Sequence, residues 1–574
     1  MTASGSLAIL RDRVRRPAFN TPTPLGATAV AFACLLALPV VVVLSNVFTP
    51  TQGTWSHLAA TVLPDYIRNS LLLMTGVAFG VIVGGVSTAW LTVMCRFPGR
   101  RLFEWALLLP MAVPAYVMAY AYTDFLQFAG PVQTWLREMS GWGPREYWFP
   151  DVRSLGGAVV MLSLVLYPYV YLLARSAFLE QSDSMLEVAR VCGYGAWGTF
   201  RRVALPLARP AIVAGTALAL METLADFGTV SYFGVQTFTT GIFRAWFSLG
   251  DPVAAAQLSA VLLGFVFLLL FIERVTRARA GFHNTSHRKR LRNVYRLRGA
   301  RAAVAVLFCV TPLVLGFLLP AGILLKLALD AGDAQFGARY IELTFNTVTL
   351  AGITAALAIA LALLVAYAGR STRSTAVAIA NRIAGMGYAV PGAVIAVGVL
   401  IPVTRLDHVL AGWIEMFTGA SPGLILTGSI AALVYAYLVR FFAVALHSVE
   451  AGLSRITPSM DSAARSLGFG PGATLVRVHA PLLWSSVLSA ALLVMIDVIK
   501  ELPATFVMRP FNFDTLAVQA YNLASDERLS EAATPALTII AVGLVPLIVL
   551  SRMMLKKPDL RAGFLVHDAG KDHD

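Results

Sequence analysis

The stretch EVARVCGYGAWGTFRRVALPLARP, residues Glu187–Pro210, decides how the rest of the chain is read. A short helical run meets a Gly-x-Gly break at Gly193 and Gly195. A second short run follows, and Pro206 and Pro210 lead into a long apolar segment. Glycine closes one helix in a left-handed conformation and allows a tight turn, while proline suits the first turn of the next helix. The pattern returns at Ser462–Ser485, SAARSLGFGPGATLVRVHAPLLWS. At an offset of 275 residues, Ala189 maps to Ala464, Arg190 to Arg465, Gly193 to Gly468, Gly195 to Gly470 and Pro206 to Pro481. A polar loop repeated between membrane-length segments means that one helical unit is built twice.

The surrounding composition is that of a membrane protein. Of 574 residues, 57% are hydrophobic and 13% charged, and the mean hydropathy is +0.72. Charge-free segments long enough to cross a bilayer fall at 26–47, 69–95, 105–123, 154–174, 252–272, 302–325, 343–369, 383–404, 416–439 and 532–551. Two more begin near Pro210 and Leu482 and carry acids. The expectation is an all-α polytopic protein of about 12 transmembrane helices, six in each half. Residues 1–275 form the first half, 276–300 a basic linker and 301–574 the second half.

Basic residues orient the spans. Arg11, Arg13, Arg15 and Arg16 precede the first span; Arg96, Arg100 and Arg101 follow the second; Arg190, Arg201, Arg202 and Arg209 surround the first loop. Arg370, Arg373, Arg465 and Arg477, with Lys556, Lys557 and Arg561 near the end, fall on the same side. Both termini and both repeated loops are therefore expected in the cytoplasm. The net charge of +14 is accounted for by this bias and implies no nucleic acid. The first apolar stretch is longer than a signal core and lacks a clear cleavage pattern, so it reads as a retained span. Cys34, Cys95, Cys192 and Cys309 have neither paired placement nor metal-ligand spacing. The linker's arginines, with His283, His287 and Lys289, suit a solvated connection or contact with acidic headgroups, not a metal site.

Acids inside the spans are the second feature. Glu222 and Asp226 lie four apart on one helical face, and the repeat offset carries them to Asp497 and Glu501, with Lys500 beside them. At 1.5 Å per residue Glu222 lies about 18 Å beyond Pro210, within the bilayer. Acids at that depth should face the bundle interior or water. They could ring a cation path, or serve as helix caps, ion pairs or supports of an outer gate; a gate or its support is the reading preferred over a specific metal site. Arg244 and Lys500 are the candidate counter-charges. Pro110, Pro114 and Pro391 are expected to kink their helices. Beyond the acids the repeat is read as Phe238 to Phe513, Thr240 to Thr515, Arg244 to Gln519, Trp246 to Tyr521 and Asp251 to Asp526, with short external helices over the path. Trp135, Trp142 and Trp148 suit headgroup anchoring or contact with an external partner.

Both repeated loops resemble the EAA loop of ABC importer permeases, two short coupling helices that sit in a groove of the ATPase subunit. The first copy matches at Glu187, Ala189, Gly193, Leu205 and Pro206. The second, with Ala464, Gly468 and Pro481, departs: Ser462 replaces the glutamate, with Asp461 one residue earlier, and Ala480 replaces the leucine. If the carboxylate matters, the second loop docks less strongly or uses Asp461. The stretches LVLYPYVYLLARSAFLEQ, METLADFGTVSYFG, FTTGIFRAWFSLGD and RPFNFDTLAVQAYNLASDE resemble the fused permease of bacterial iron(III) ABC importers. This implies a duplicated type I permease fold in the bacterial inner membrane, two cytoplasmic ATPase subunits that bind ATP and Mg, and a periplasmic binding protein that delivers iron(III). Similar fused permeases carry thiamine, and related ones sulfate, polyamines or phosphonate. No G-x-x-x-x-G-K-[ST] nucleotide loop occurs, so the chain is expected to be no enzyme and to hold no cofactor. An ion-coupled secondary transporter would share the repeats and acids, yet would not need twin coupling loops.

Overall fold

The computed structural model describes residues 24–555 apart from 52, 145, 182–186, 190, 279–294, 332–336, 373, 420 and 455. Arg11, Arg13, Arg15, Arg16, Arg190, His283, His287, Lys289, Arg373, Lys556, Lys557 and Arg561 lie outside the described residues, as does most of the linker. The described chain is almost wholly helical, because backbone polar groups in lipid must bond within their own segment.

Among the described residues ten helices are long and apolar enough to span, and two bent pairs bring the number to 12. In the first half they are Pro24–Phe48, Leu63–Met94, the pair Arg100–Ala112 and Ala115–Ser140, Leu155–Glu180, Ala196–Ala225 and Pro252–Thr276. In the second they are Ala300–Asp330, Ala338–Ser371, Gly392–Thr418, Ile430–Leu453, the pair Gly472–Leu482 and Trp484–Ile499, and Leu529–Val549. The repeat is visible in local chemistry. Ser154 and Ser429, one offset apart, cap the fourth and tenth spans by accepting from Gly157 N at 3.1 Å and Ala431 N at 3.3 Å. π-type turns at Phe200–Ala204 and Leu475–His479 repeat at the same spacing.

Several expected boundaries move. The third span is no kinked helix: Arg100–Ala106 and a 3-10 turn at Leu109–Ala112 end at Val113-Pro114, and the helix restarts at Ala115 after a 90° bend. The ninth is built alike, with Thr375–Ala384, a 3-10 turn at Gly387–Ala389, Val390-Pro391, and a new helix from Gly392. Proline lacks the N–H needed to continue the ladder, and the residue before it is pushed to extended geometry, so each Val-Pro ends one helix and starts another. The tenth span runs from Ile430 through Arg440 to Leu453, not over 416–439. A charge-free window stops at Arg440, yet this guanidinium is buried and paired within the bundle. The sixth span continues to Ala278, past the expected boundary at 275.

Small residues set the closest approach within the first half. A Cβ on Gly76 would stand 2.8 Å from Val159, and one on Gly85 would stand 2.7 Å from Val170, so the second span lies directly on the fourth. The first helix of each half, however, packs against the opposite half. Tyr435 Oη donates to Leu35 O at 2.6 Å, the rings of Phe32 and Phe442 meet edge-on at 4.9 Å, and Gly398 admits the Pro39 backbone. Reciprocally, Tyr122 Oη donates to Leu315 O at 2.6 Å, and Gly316 sits against Pro110. The two sequence repeats are thus interleaved in space.

Candidate functional site

The centre of the bundle holds a cavity of about 100 Å³ whose wall includes Tyr116, Tyr169, Glu222, Asp226, Arg440, Asp497, Lys500 and Glu501. All four acids found in the sequence reach it. Their roles in the structure differ. Asp226 ends its helix and caps the next, Gly228–Tyr232, accepting from Thr229 N, Thr229 Oγ1 and Val230 N at 3.0–3.1 Å. Glu501 does the same for Pro503–Met508, accepting from Ala504 N and Thr505 N at 3.0 Å and from Thr505 Oγ1 at 2.7 Å. A carboxylate at a helix N-terminus meets free N–H groups and the positive end of the dipole.

Glu222 and Asp497 are instead held by bases. Lys500 Nζ lies 2.9 Å from Asp497 Oδ1. Arg440, 6% exposed, reaches Glu501 at 3.2 Å and crosses between the halves to Glu222 at 3.5 Å. Sequence reading missed Arg440, since a lone arginine beside an apolar run looks like a span end. One signal was available: the repeat offset places Val165 opposite it, so the charge is peculiar to the second half. Arg244, expected as a counter-charge, lies elsewhere. It lines a second, more open cavity with Gln236, Thr240 and Phe247.

Between the two cavities stands an aromatic cluster. Phe227 lines both and stacks on Phe243 with centroids 3.7 Å apart, while Phe506 and Tyr521 approach it at 6.0 and 5.6 Å. The helices Phe238–Phe243 and Leu516–Ser525 supply part of this closure. Their caps are Thr237 and Thr515, so here structural equivalence runs three residues beyond the offset of 275. Thr240, read as the counterpart of Thr515, supplies the other side of the Thr237 capping box. The extra residues lie between Glu501 and Thr515.

The repeated loops fold alike. Gly193 and Gly468 have φ of 81° and 80°. Tyr194 N donates to Ala189 O and Phe469 N to Ala464 O, each at 3.0 Å, the long bond that closes a helix on a left-handed residue. Ala189 and Ala464 are buried, whereas Val188, Val191 and Trp197 of the first loop and Leu467 and Val476 of the second are exposed. The supports differ. In the first half the Trp90 ring meets Phe178 at 5.6 Å, Phe200 at 4.9 Å and Tyr295 at 6.4 Å. Tyr295 belongs to a two-residue parallel pairing, Cys95-Arg96 with Tyr295-Arg296, that fixes the end of the linker. In the second half Asp461 accepts from Arg370 Nε at 2.9 Å and pairs with buried His479 at 2.6 Å, while Arg370 also donates to Leu453 O and Ile456 O at 2.8 Å. Asp461, expected as a substitute docking carboxylate, is engaged inside the chain. Leu205 and Pro206 begin a helix unbroken to Ala225; beyond Pro481 the equivalent path turns by 78° at Leu483.

Residues 76–280 match the family described as binding-protein-dependent transport system inner membrane component. The chain is 25% identical over 507 residues to the Fe(3+)-transport system permease protein FbpB 2 of Haemophilus influenzae, covering 86% of this chain and 91% of that protein. It is 31% identical to the molybdenum transport system permease protein ModB of Escherichia coli, over 37% of this chain and 92% of that protein. The sulfate transport system permease protein CysT of Escherichia coli is 24% identical over 45% of this chain and 94% of its own length.

Proposed function

We propose that iron(III) is the cargo of this chain, which belongs to the family of binding-protein-dependent transport system inner membrane components and is a permease subunit of an ABC-type importer. The observation that carries the cargo is the span of similarity: the iron(III) permease aligns over 86% of this chain, through both halves, whereas ModB and CysT align over 37% and 45%. The cavity adds chemical support, because its wall carries four carboxylates against two bases, a balance that favours a cation over an oxyanion.

In this reading one chain supplies both membrane halves, with residues 276–300 as their connection. The loops carrying Glu187, Ala189, Gly193, Leu205 and Pro206, and Asp461, Ala464, Gly468 and Pro481, each meet one ATPase subunit through their exposed apolar side chains. Both termini and both loops lie in the cytoplasm. ATP and Mg are bound by those partners. A periplasmic binding protein meets the opposite end and passes cargo through the aromatic closure. Glu222, Asp226, Asp497 and Glu501 line the path, Asp226 and Glu501 by holding the two short helices that border it. An oxyanion cargo is the second reading, supported by the 31% identity to ModB.

Proteoliposomes containing this chain, its ATPase and its binding protein test the proposal. They should show ATP-dependent uptake of labelled iron(III) held soluble by a weak chelator, and little uptake of molybdate, sulfate or thiamine. Molybdate uptake without iron would transfer the assignment to the second reading. Uptake driven by an ion gradient without ATPase would remove both.

A further inference from the structure

The charges of the central cavity are divided unevenly between the halves. Its first half contributes Glu222 and Asp226 and no base; Arg440 and Lys500 both come from the second. Val165 and Ala225 occupy the positions that the repeat offset pairs with these two bases. Three of the four acids are secured within their own half: Asp226 and Glu501 by backbone and threonine donors, Asp497 by Lys500 at 2.9 Å. Glu222 is different. Its one polar contact among the described residues is Arg440 of the other half, at 3.5 Å.

We propose that Glu222 is a transit site for a multivalent, oxygen-seeking cation, with Arg440 as the resting counter-ion that the cation displaces. The inference rests on the cation-import reading above. Arg440 can release Glu222 because Glu501 remains beside it at 3.2 Å, so the guanidinium is not stranded in the bundle. Removing one partner of a buried pair is otherwise strongly destabilising. A second oxygen donor stands on the same wall: Tyr116 is 5% exposed, and its buried hydroxyl has no partner among the described residues. Tyr169, also on the wall, shares a 3.4 Å hydroxyl contact with Tyr388. Carboxylate and phenol oxygens suit hard cations. Among the described residues no group of three or more His, Cys, Asp or Glu forms a metal cage, and the proposed site is accordingly one of passage and not of storage. Phe227, on the wall of both cavities, places the site directly behind the aromatic closure.

The test uses the chain assembled with its ATPase subunits in nanodiscs and Tb³⁺ as a hard trivalent probe. Tyrosine-sensitised terbium emission should fall at least fivefold in Glu222→Gln, which leaves Arg440 paired with Glu501 and so should assemble normally. In proteoliposomes the same variant should slow iron(III) uptake about tenfold, with ATPase association unchanged. The double variant Glu222→Gln/Arg440→Gln, in which Glu501 loses its counter-ion but keeps its backbone and Thr505 donors, should be no faster. Emission and uptake equal to wild type in Glu222→Gln would overturn the site, terbium then being bound elsewhere. Faster uptake in Glu222→Gln with loss in Arg440→Gln would also overturn it, in favour of an anion path. If wild-type vesicles take up no iron(III), the cargo reading falls; if they do and Glu222→Gln matches them, only this site falls.

Discussion

The two repeated loops have the same backbone and opposite supports. The first stands on an aromatic cluster, Trp90 with Phe178, Phe200 and Tyr295, and runs without a break into the helix that carries Glu222. The second stands on an ionic set, Arg370, Asp461 and His479, with Tyr367 edge-on to the imidazole at 5.3 Å, and is separated from the helix that carries Asp497 by the turn at Leu483. Counted back from the ends of their helices, Met94 and Ser371, Trp90 and Tyr367 occupy corresponding places, and Ala204 and His479 correspond at the offset of 275. Duplication preserved the shape of the loop through glycine and helix geometry, which tolerate few alternatives, while the packing beneath it diverged because apolar and ionic contacts can hold a short helix equally well. From this difference we expect the halves to transmit motion unequally: a displacement of the first loop should reach Glu222 along one continuous helix, Leu205–Ala225, and a displacement of the second should be absorbed in part at the 78° bend at Leu483.

The largest effect is expected from Trp90→Ala. Losing a buried tryptophan that joins three rings should cost about 3–5 kcal/mol and release the first loop together with the end of the linker. Thermal unfolding of the purified chain and pull-down of the ATPase would check it; a variant as stable as wild type would remove the aromatic support. Asp461→Asn comes next. It removes the charge between Arg370 and His479, and charged hydrogen bonds of this kind contribute about 1.5–3 kcal/mol. The expected signature is a stability loss smaller than that of Trp90→Ala, since Arg370 keeps its two carbonyl partners, together with a weaker response of ATP turnover to loaded binding protein. Equal coupling in wild type and Asp461→Asn would show that the ionic set holds nothing that matters to transport.

The smallest step is a matched pair, Gly193→Val and Gly468→Val. Among the described residues no atom lies within 4 Å of where a Cβ would stand at either position, so the penalty is that of a β-branched residue at φ near +80°, about 1–2 kcal/mol at each site. Stability should fall alike in both. Coupling should fall further in Gly193→Val, because its loop is rigidly joined to the helix of Glu222. An equal loss of coupling would erase the distinction between the loops.

Much of this was legible from residues. The spacing of Gly193 and Gly468 revealed the duplication, and their left-handed conformation follows from their place after a helical run. The apolar segments revealed the spans, and the depth of Glu222, Asp226, Asp497 and Glu501 placed them inside the bundle. What escaped depends on partners distant in sequence. Arg440 ended a charge-free window, and only the fold shows the carboxylates that let it sit mid-bundle. Pro114 and Pro391 were visible, but that each terminates a 3-10 turn and starts a new helix depends on neighbours along the whole segment. The exchange of first helices has no local signal, since Leu35 and Leu315 look like any other lipid-facing leucine until Tyr435 and Tyr122 are seen to reach them. Asp461 looked available for docking because the arginine and histidine that occupy it lie 91 and 18 residues away.

We propose that one chain presents two loops, each to its own ATPase subunit. Native mass spectrometry of the purified, transport-competent complex tests it most directly. The mass should correspond to one copy of this chain with two ATPase subunits, and a variant carrying both Gly193→Val and Gly468→Val should shift the population toward complexes with fewer. Two copies of this chain in the active particle would contradict it.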